Sequence, residues 1–221
     1  NDLGEVAGAS LANALETNTS LTSLGIGGNG LGEAGGVEIA NALRTNSSLT
    51  KLEIRRNGLG RGFGVYIAGA LEKNSSLMTL DLGFNNLEYV GGVAVVDALQ
   101  RNSSITALDL AGNALGPRFG VNLAETLKKN SSLTTLNLGD NDLGERAGVR
   151  LADALEKNST LTELNLTGNP DISPETVERV KRLLSVRERP IANAFPGVKV
   201  AVPARKRTRD DQGGAAKQRK M

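Results

Sequence analysis

The chain has 221 residues, 39% of them hydrophobic and 23% charged, with a formal net charge of +2, the profile of an ordinary globular chain. It contains no cysteine and no histidine, which excludes disulfides, thiol nucleophiles, the usual zinc sites and Ser-His-Asp triads. Aromatic residues make up only 3%, too few for the stacking platforms that hold bases or sugars, and no run reaches the roughly 18 apolar residues of a membrane span.

At the N-terminus, Asn1-Asp2-Leu3-Gly4-Glu5 matches Asn29-Gly30-Leu31-Gly32-Glu33 further on. Residues 1 to 17 therefore read as the turn and helix of a unit whose strand is missing, and with no initial Met this predicts a fragment of a longer protein. From Asn18 the same block returns every 28 residues. Asn18, Asn46, Asn74, Asn102, Asn130 and Asn158 form one series, and Asn1, Asn29, Asn57, Asn85, Asn113, Asn141 and Asn169 form a second. Within one unit, Leu133 to Gly144 reads LxxLxLxxNxLG. Alternation around Leu136 and Leu138 predicts a short strand with one buried face. Ala147, Leu151 and Leu155, four residues apart, predict one stripe of a helix.

One such unit cannot bury both faces alone, so units must stack, with parallel strands on one side and the bulkier helices on the other, curving the array. Gly36, Gly64, Gly92, Gly120 and Gly148 are expected to let neighbouring helices approach. The asparagine after each strand is expected to turn inward and satisfy backbone groups in the bend and in the neighbouring repeat. The asparagine after each helix is expected to adopt the left-handed conformation of a helix stop. This bland reading is preferred to glycosylation for the Asn-x-Ser/Thr triplets it creates, and for Asn165-Leu166-Thr167.

The last unit differs. Asn169-Pro170-Asp171-Ile172-Ser173-Pro174-Glu175 carries one extra residue, with Ser173 as a helix cap and Pro174 at the first helical position. Its charged helix, with Val177, Val180 and Leu184 inward, predicts a capping helix that ends before Pro190. Residues 1 to 187 are thus a repeat array: a partial first repeat, then six 28-residue repeats from Asn18, the last of them capping. Residues 188 to 203 read as a cap or linker, where Val198, Val200 and Val202 alternate as an edge strand would. Residues 204 to 221 read as a disordered basic tail. The charge separates accordingly, −6 over residues 1 to 173 and +8 over 174 to 221.

The LxxLxLxxNxLG unit with its following helix resembles the ribonuclease-inhibitor-like class of leucine-rich repeats, a class that includes NOD-like receptor sensor regions and Ran GTPase-activating proteins. The resemblance covers residues 1 to 187. It implies an α/β fold, a right-handed α/β solenoid shaped as a horseshoe, with a parallel β-sheet on the concave face and helices on the convex face. It also implies a concave binding surface and not a reaction.

On that face the residue between the two inward leucines recurs as Gly25, Glu53, Asp81, Asp109, Asn137 and Asn165. Glu53, Asp81 and Asp109 are expected to form an acidic stripe that accepts Lys or Arg from a partner, with Arg55, Arg56 and Phe84 as an edge anchor and Asp140, Asn137 and Asn165 extending the surface. The bland alternative is a row of solvated polar groups. Neighbouring carboxylates can share a proton, but a smooth face of small residues offers no dry pocket, so no catalytic residue, metal or cofactor is expected. In the tail, Arg205-Lys206 and Lys217-Gln218-Arg219-Lys220 are separated by ten residues, as in a bipartite nuclear import signal, so an importin or polyanion contact is expected there.

The expected function is a non-enzymatic, monomeric protein-interaction scaffold in the cytoplasm or nucleus, without membrane contact, binding a protein partner on the concave face. Two alternatives rest on the resemblance. One is a GTPase-activating regulator like the Ran GTPase-activating proteins, although those end in an acidic tail. The other is a ligand-sensing fragment of a NOD-like immune receptor.

Overall fold

The computed structural model describes residues 1 to 187. Among these residues seven helices alternate with six strands. The helices are α1 (Gly4–Thr17), α2 (Gly32–Leu43), α3 (Gly60–Leu71), α4 (Glu88–Ala98), α5 (Phe119–Leu127), α6 (Glu145–Leu155) and α7 (Pro174–Ser185). Between them lie β1 (Ser23–Gly25), β2 (Lys51–Glu53), β3 (Thr79–Asp81), β4 (Ala107–Asp109), β5 (Thr135–Asn137) and β6 (Glu163–Asn165). The strands form one parallel sheet in sequence order. Each pairs with the next in a register of 28 residues, so Leu52 faces Leu80 and Leu80 faces Leu108. The chain is a right-handed α/β solenoid, and its leucines make one continuous core. The predicted strand, helix and sheet arrangement is the observed one, and no helix among the described residues is long and apolar enough to cross a membrane.

Three-residue strands cannot hold the stack alone, and two asparagine ladders complete it. Asn113, fully buried, accepts from the backbone N–H of Asn85 (3.0 Å) and Leu87 (3.2 Å) of the preceding repeat. Its amide donates to the carbonyls of Leu82, Leu110 and Ala111. The series therefore turns inward as expected, joining each bend to its neighbour. At the other end of the helices, Asn102 donates to Leu71 O (2.8 Å) and Asn74 O (3.0 Å) of the previous repeat. Its oxygen accepts from the N–H of Ser104 and Ile105.

This second ladder corrects the sequence-based reason for its asparagines. None of them has a positive φ. They are there for an amide that bridges two repeats, and the left-handed residues lie instead in the turn from strand to helix. Gly28, Arg56, Phe84, Gly112, Asp140 and Gly168, each just before an asparagine of the first series, have φ between 55° and 71°. The glycines on the helices act as expected: a Cβ on Gly64 would lie 2.4 Å from Gly91 Cα, so α3 and α4 meet backbone to backbone.

The last helix among the described residues is α7. Ser173 caps the helix by accepting from Thr176 N–H, and Pro174 occupies its first turn. Val180 is buried and Val177 and Leu184 pack against the core, as predicted. The Glu145 carboxylate accepts from Ser173 N–H (2.7 Å), Ser173 Oγ and Thr176 Oγ1, contacts that hold its pKa below the usual glutamate value. Because the last unit carries one extra residue, the position that would continue the helix-end ladder falls on Arg187 in place of an asparagine. Arg187 takes over, donating its guanidinium to Asn158 O (2.6 Å), Leu155 O and Leu161 O. The expected cap or linker at 188 to 203 and the basic tail at 204 to 221, with Arg205, Lys206, Lys217, Arg219 and Lys220, lie outside the described residues.

Candidate functional site

The strand register brings Gly25, Glu53, Asp81, Asp109, Asn137 and Asn165 side by side on the concave face, as the repeat spacing requires. The row is less open than its polarity suggests: Asp81 and Asp109 are each only 4% exposed, and Asn137 is equally sunken. Small residues two positions later explain this. Asp81 Oδ1 accepts from Gly83 N–H (2.9 Å), Asp109 Oδ1 from Ala111 N–H (2.8 Å), and Asn137 and Asn165 accept likewise from Gly139 and Thr167. Each side chain thus lies down over its own strand end. An Asp or Asn followed two positions later by a small residue, repeated, is the sequence signal for this.

The amides also link across repeats in one direction. Asn165 Nδ2 donates to Asn137 Oδ1 (2.8 Å), and Asn137 Nδ2 donates to Asp109 Oδ2 (2.8 Å). There the ladder stops, because Asp109 has no hydrogen to pass on to Asp81. Two sunken carboxylates are therefore neighbours. Burial, the dominant cause, pushes Asp81 up from 3.8 to about 6, helped by the charges of Asp109 and Glu53 and opposed by Gly83 N–H and Arg55. Asp109 is also raised by burial, against the pull of Ala111 N–H, the Asn137 amide and Arg55. Glu53 is half-buried and bridges Lys51 at 3.0 Å, within its own strand.

At the rim beside this row stands an exposed aromatic. Phe63 and Phe119 are in the core, whereas Phe84 is 37% exposed. Its ring leans over Gly112, where an added Cβ would come within 2.4 Å of it. The guanidinium carbons of Arg56 and Arg55 stand 4.7 Å and 5.7 Å from the ring centroid, a cation–π cluster. Arg56 and Phe84 have φ of 55° and 57° in a column that elsewhere carries mainly glycine. Left-handed backbone costs a residue with a side chain roughly 1 to 2 kcal/mol. Asp140, in the same column, leans over Gly168 two repeats from Phe84 and is not part of the cluster. The structure brings Arg55, Arg56 and Phe84 together beside Glu53 and Asp81, and leaves Asn165 and Asp140 towards the other end.

The family profile described as "Leucine Rich repeat" matches residues 17–40, 73–96, 101–118, 129–152 and 157–178, half of the chain. The chain belongs to the leucine-rich repeat family. No curated protein matches its sequence. Among solved structures, this leucine-rich repeat chain is similar to leiomodin-1 actin-binding site 2, with a TM-score of 0.53 and 17% identity over 81% of this chain and 86% of that one. It is similar also to the tropomodulin C-terminal domain of Caenorhabditis elegans, with a TM-score of 0.54 and 15% identity over 80% and 91%. At these identities the likeness is one of fold. As a leucine-rich repeat protein, the chain has a fold whose common use is protein binding.

Proposed function

We propose that this leucine-rich repeat protein is a non-enzymatic scaffold that docks a protein partner on its concave face. Phe84, clasped by Arg55 and Arg56, is the anchor, and Glu53, Asp81 and Asp109 form the acidic ground beside it. The observation that carries this reading is the cost of the cluster: two large side chains sit in left-handed backbone, one of them an exposed aromatic, in a column where glycine is the relaxed choice. Strain of that kind is kept where a side chain has work outside the fold. Aromatic and arginine anchors next to complementary charge are also what dominates protein interfaces. The leiomodin segment of the same fold is an actin-binding site, so an array of this kind serves protein docking there.

The test is capture from a lysate, scored against the double variant Arg56→Gly and Phe84→Gly, with the convex variant Tyr66→Ser as control. The double variant keeps the fold, relaxes the turn and loses the captured protein; Tyr66→Ser retains it. Equal capture by all three would remove the concave anchor.

A further inference from the structure

The fold accounts for one oxygen of Asp81 and leaves the other without a partner among the described residues. Asp81 is 4% exposed, its Oδ1 accepts from Gly83 N–H, and its second oxygen meets no donor. Every other step of the row from Asp109 to Asn165 is closed by a side-chain amide at 2.8 Å. The step from Asp109 to Asp81 is open, and both sides of it are acceptors.

A Cβ added to Gly83 would lie 3.2 Å from Asp81 Oδ1 and 3.4 Å from Asp109 Oδ1, so one oxygen of each carboxylate borders the space over a residue without a side chain. The equivalent glycine two repeats on, Gly139, lies under Asn165 Nδ2 (3.2 Å) and Asn137 Oδ1 (3.4 Å), where the step is already closed. What the open step lacks is a donor carrying positive charge. A calcium ion wants about six to eight oxygens, and no group of three carboxylates suited to a metal exists among the described residues. A primary ammonium brings three donors in a compact head. The guanidinium of Arg55 is engaged on the Phe84 ring and makes no ion pair with either carboxylate among the described residues, and a compact ammonium fits a step over one glycine better than a second broad guanidinium.

We propose that the Asp81–Asp109 step, left open over Gly83, is a receptor for one primary ammonium, the side chain of a lysine on the docked partner. The proposal rests on the concave docking reading and specifies its chemistry. A bound ammonium supplies the donor that Asn137 supplies to Asp109, and its charge favours the ionised form of both carboxylates.

The experiment uses the full chain with carbon-13-labelled aspartate, following the Asp81 and Asp109 carboxyl signals. Nα-acetyl-lysine methylamide is the probe, and its norleucine and arginine counterparts are the controls. The lysine probe shifts both signals saturably near neutral pH and draws the Asp81 midpoint down from about 6 towards the ordinary aspartate value. Norleucine does nothing, and arginine binds more weakly. Gly83→Ala, which leaves both carboxylates in place, abolishes the response, and Gly139→Ala keeps it. Should Gly83→Ala fail to fold, Asp109→Asn serves instead, since its amide fills the step. The proposal is overturned by silent Asp81 and Asp109 signals, by an equal response to norleucine, by an equal or tighter response to arginine, or by undiminished binding in the variant that closes the step. Silence with the probe alongside lost capture in the Phe84 variant would sink the ammonium site and leave the docking face standing.

Discussion

Asp109→Asn should make the protein more stable at neutral pH, although it removes a native charge. The geometry for the replacement already exists one repeat away. Asn137 Oδ1 accepts from both Gly139 N–H and Asn165 Nδ2, while its own amide donates to Asp109. An asparagine side chain in place of the Asp109 carboxylate can do the same, keeping Ala111 N–H and the Asn137 amide and passing a hydrogen bond to Asp81. Because Asp81 is raised from 3.8 to about 6, the folded state binds its proton more tightly than the unfolded chain. Its contribution is therefore most favourable below about pH 4, declines as pH rises to about 6, and is flat above. The difference of about two pKa units sets an upper bound of about 3 kcal/mol on the penalty of ionising Asp81 in place. Hydrogen bonds to charged groups contribute about 1.5 to 3 kcal/mol. With the neighbouring charge removed as well, a gain of about 2 kcal/mol near pH 7 follows, or about 4 to 8 °C in melting temperature for an array of this size. Thermal unfolding of both proteins near pH 4 and near pH 7 is the assay. The gain should shrink at the lower pH, where Asp81 is neutral. A variant less stable near pH 7, or one with the same gain at both pH values, would refute the argument that two carboxylates face each other without a donor.

The remaining predictions concern the ladders and the tail. Asn113→Ala leaves the N–H groups of Asn85 and Leu87 buried without acceptors, so urea unfolding should show a loss of about 3 to 5 kcal/mol. Arg187→Ala removes the donor that closes the last helix-end step. Part-buried carbonyls left without that donor cost about 1 to 3 kcal/mol, a loss seen as faster amide hydrogen exchange at α7. Residues 204 to 221 fused to a cytoplasmic reporter should concentrate it in nuclei, and a reporter spread evenly through the cell would end the import reading.

Much of this molecule is visible in the period of its sequence, because a 28-residue interval that repeats without slippage admits one strand register. Leu80 must then face Leu108, and the side chain of Asn113 must reach back to the backbone of Asn85. What the period hides is how deep each side chain sits. Asp81 and Asp109 look like solvated charges when read along the chain, but Gly83 and Ala111 let them fold down over the strand ends. The cluster of Arg56 and Phe84 is suggested by side-chain type alone; its left-handed backbone shows only in comparison with Gly28, Gly112 and Gly168 in the same column. Arg187 stands where the next asparagine of the series would fall once the extra residue of the last unit is counted; what the period does not show is that a guanidinium there performs the task of an asparagine amide.

The two asparagine ladders make the internal junctions between repeats chemically alike, asparagine after asparagine presenting its neighbour with nearly the same donors and acceptors. Such joints are interchangeable. Excising or duplicating one whole 28-residue unit rejoins matching surfaces, whereas a change of any other length sets an asparagine against the wrong carbonyls at the seam. A chain of this kind can therefore lengthen or shorten its concave face by recombination in whole units while the fold stays the same, and selection on reach is separated from selection on stability.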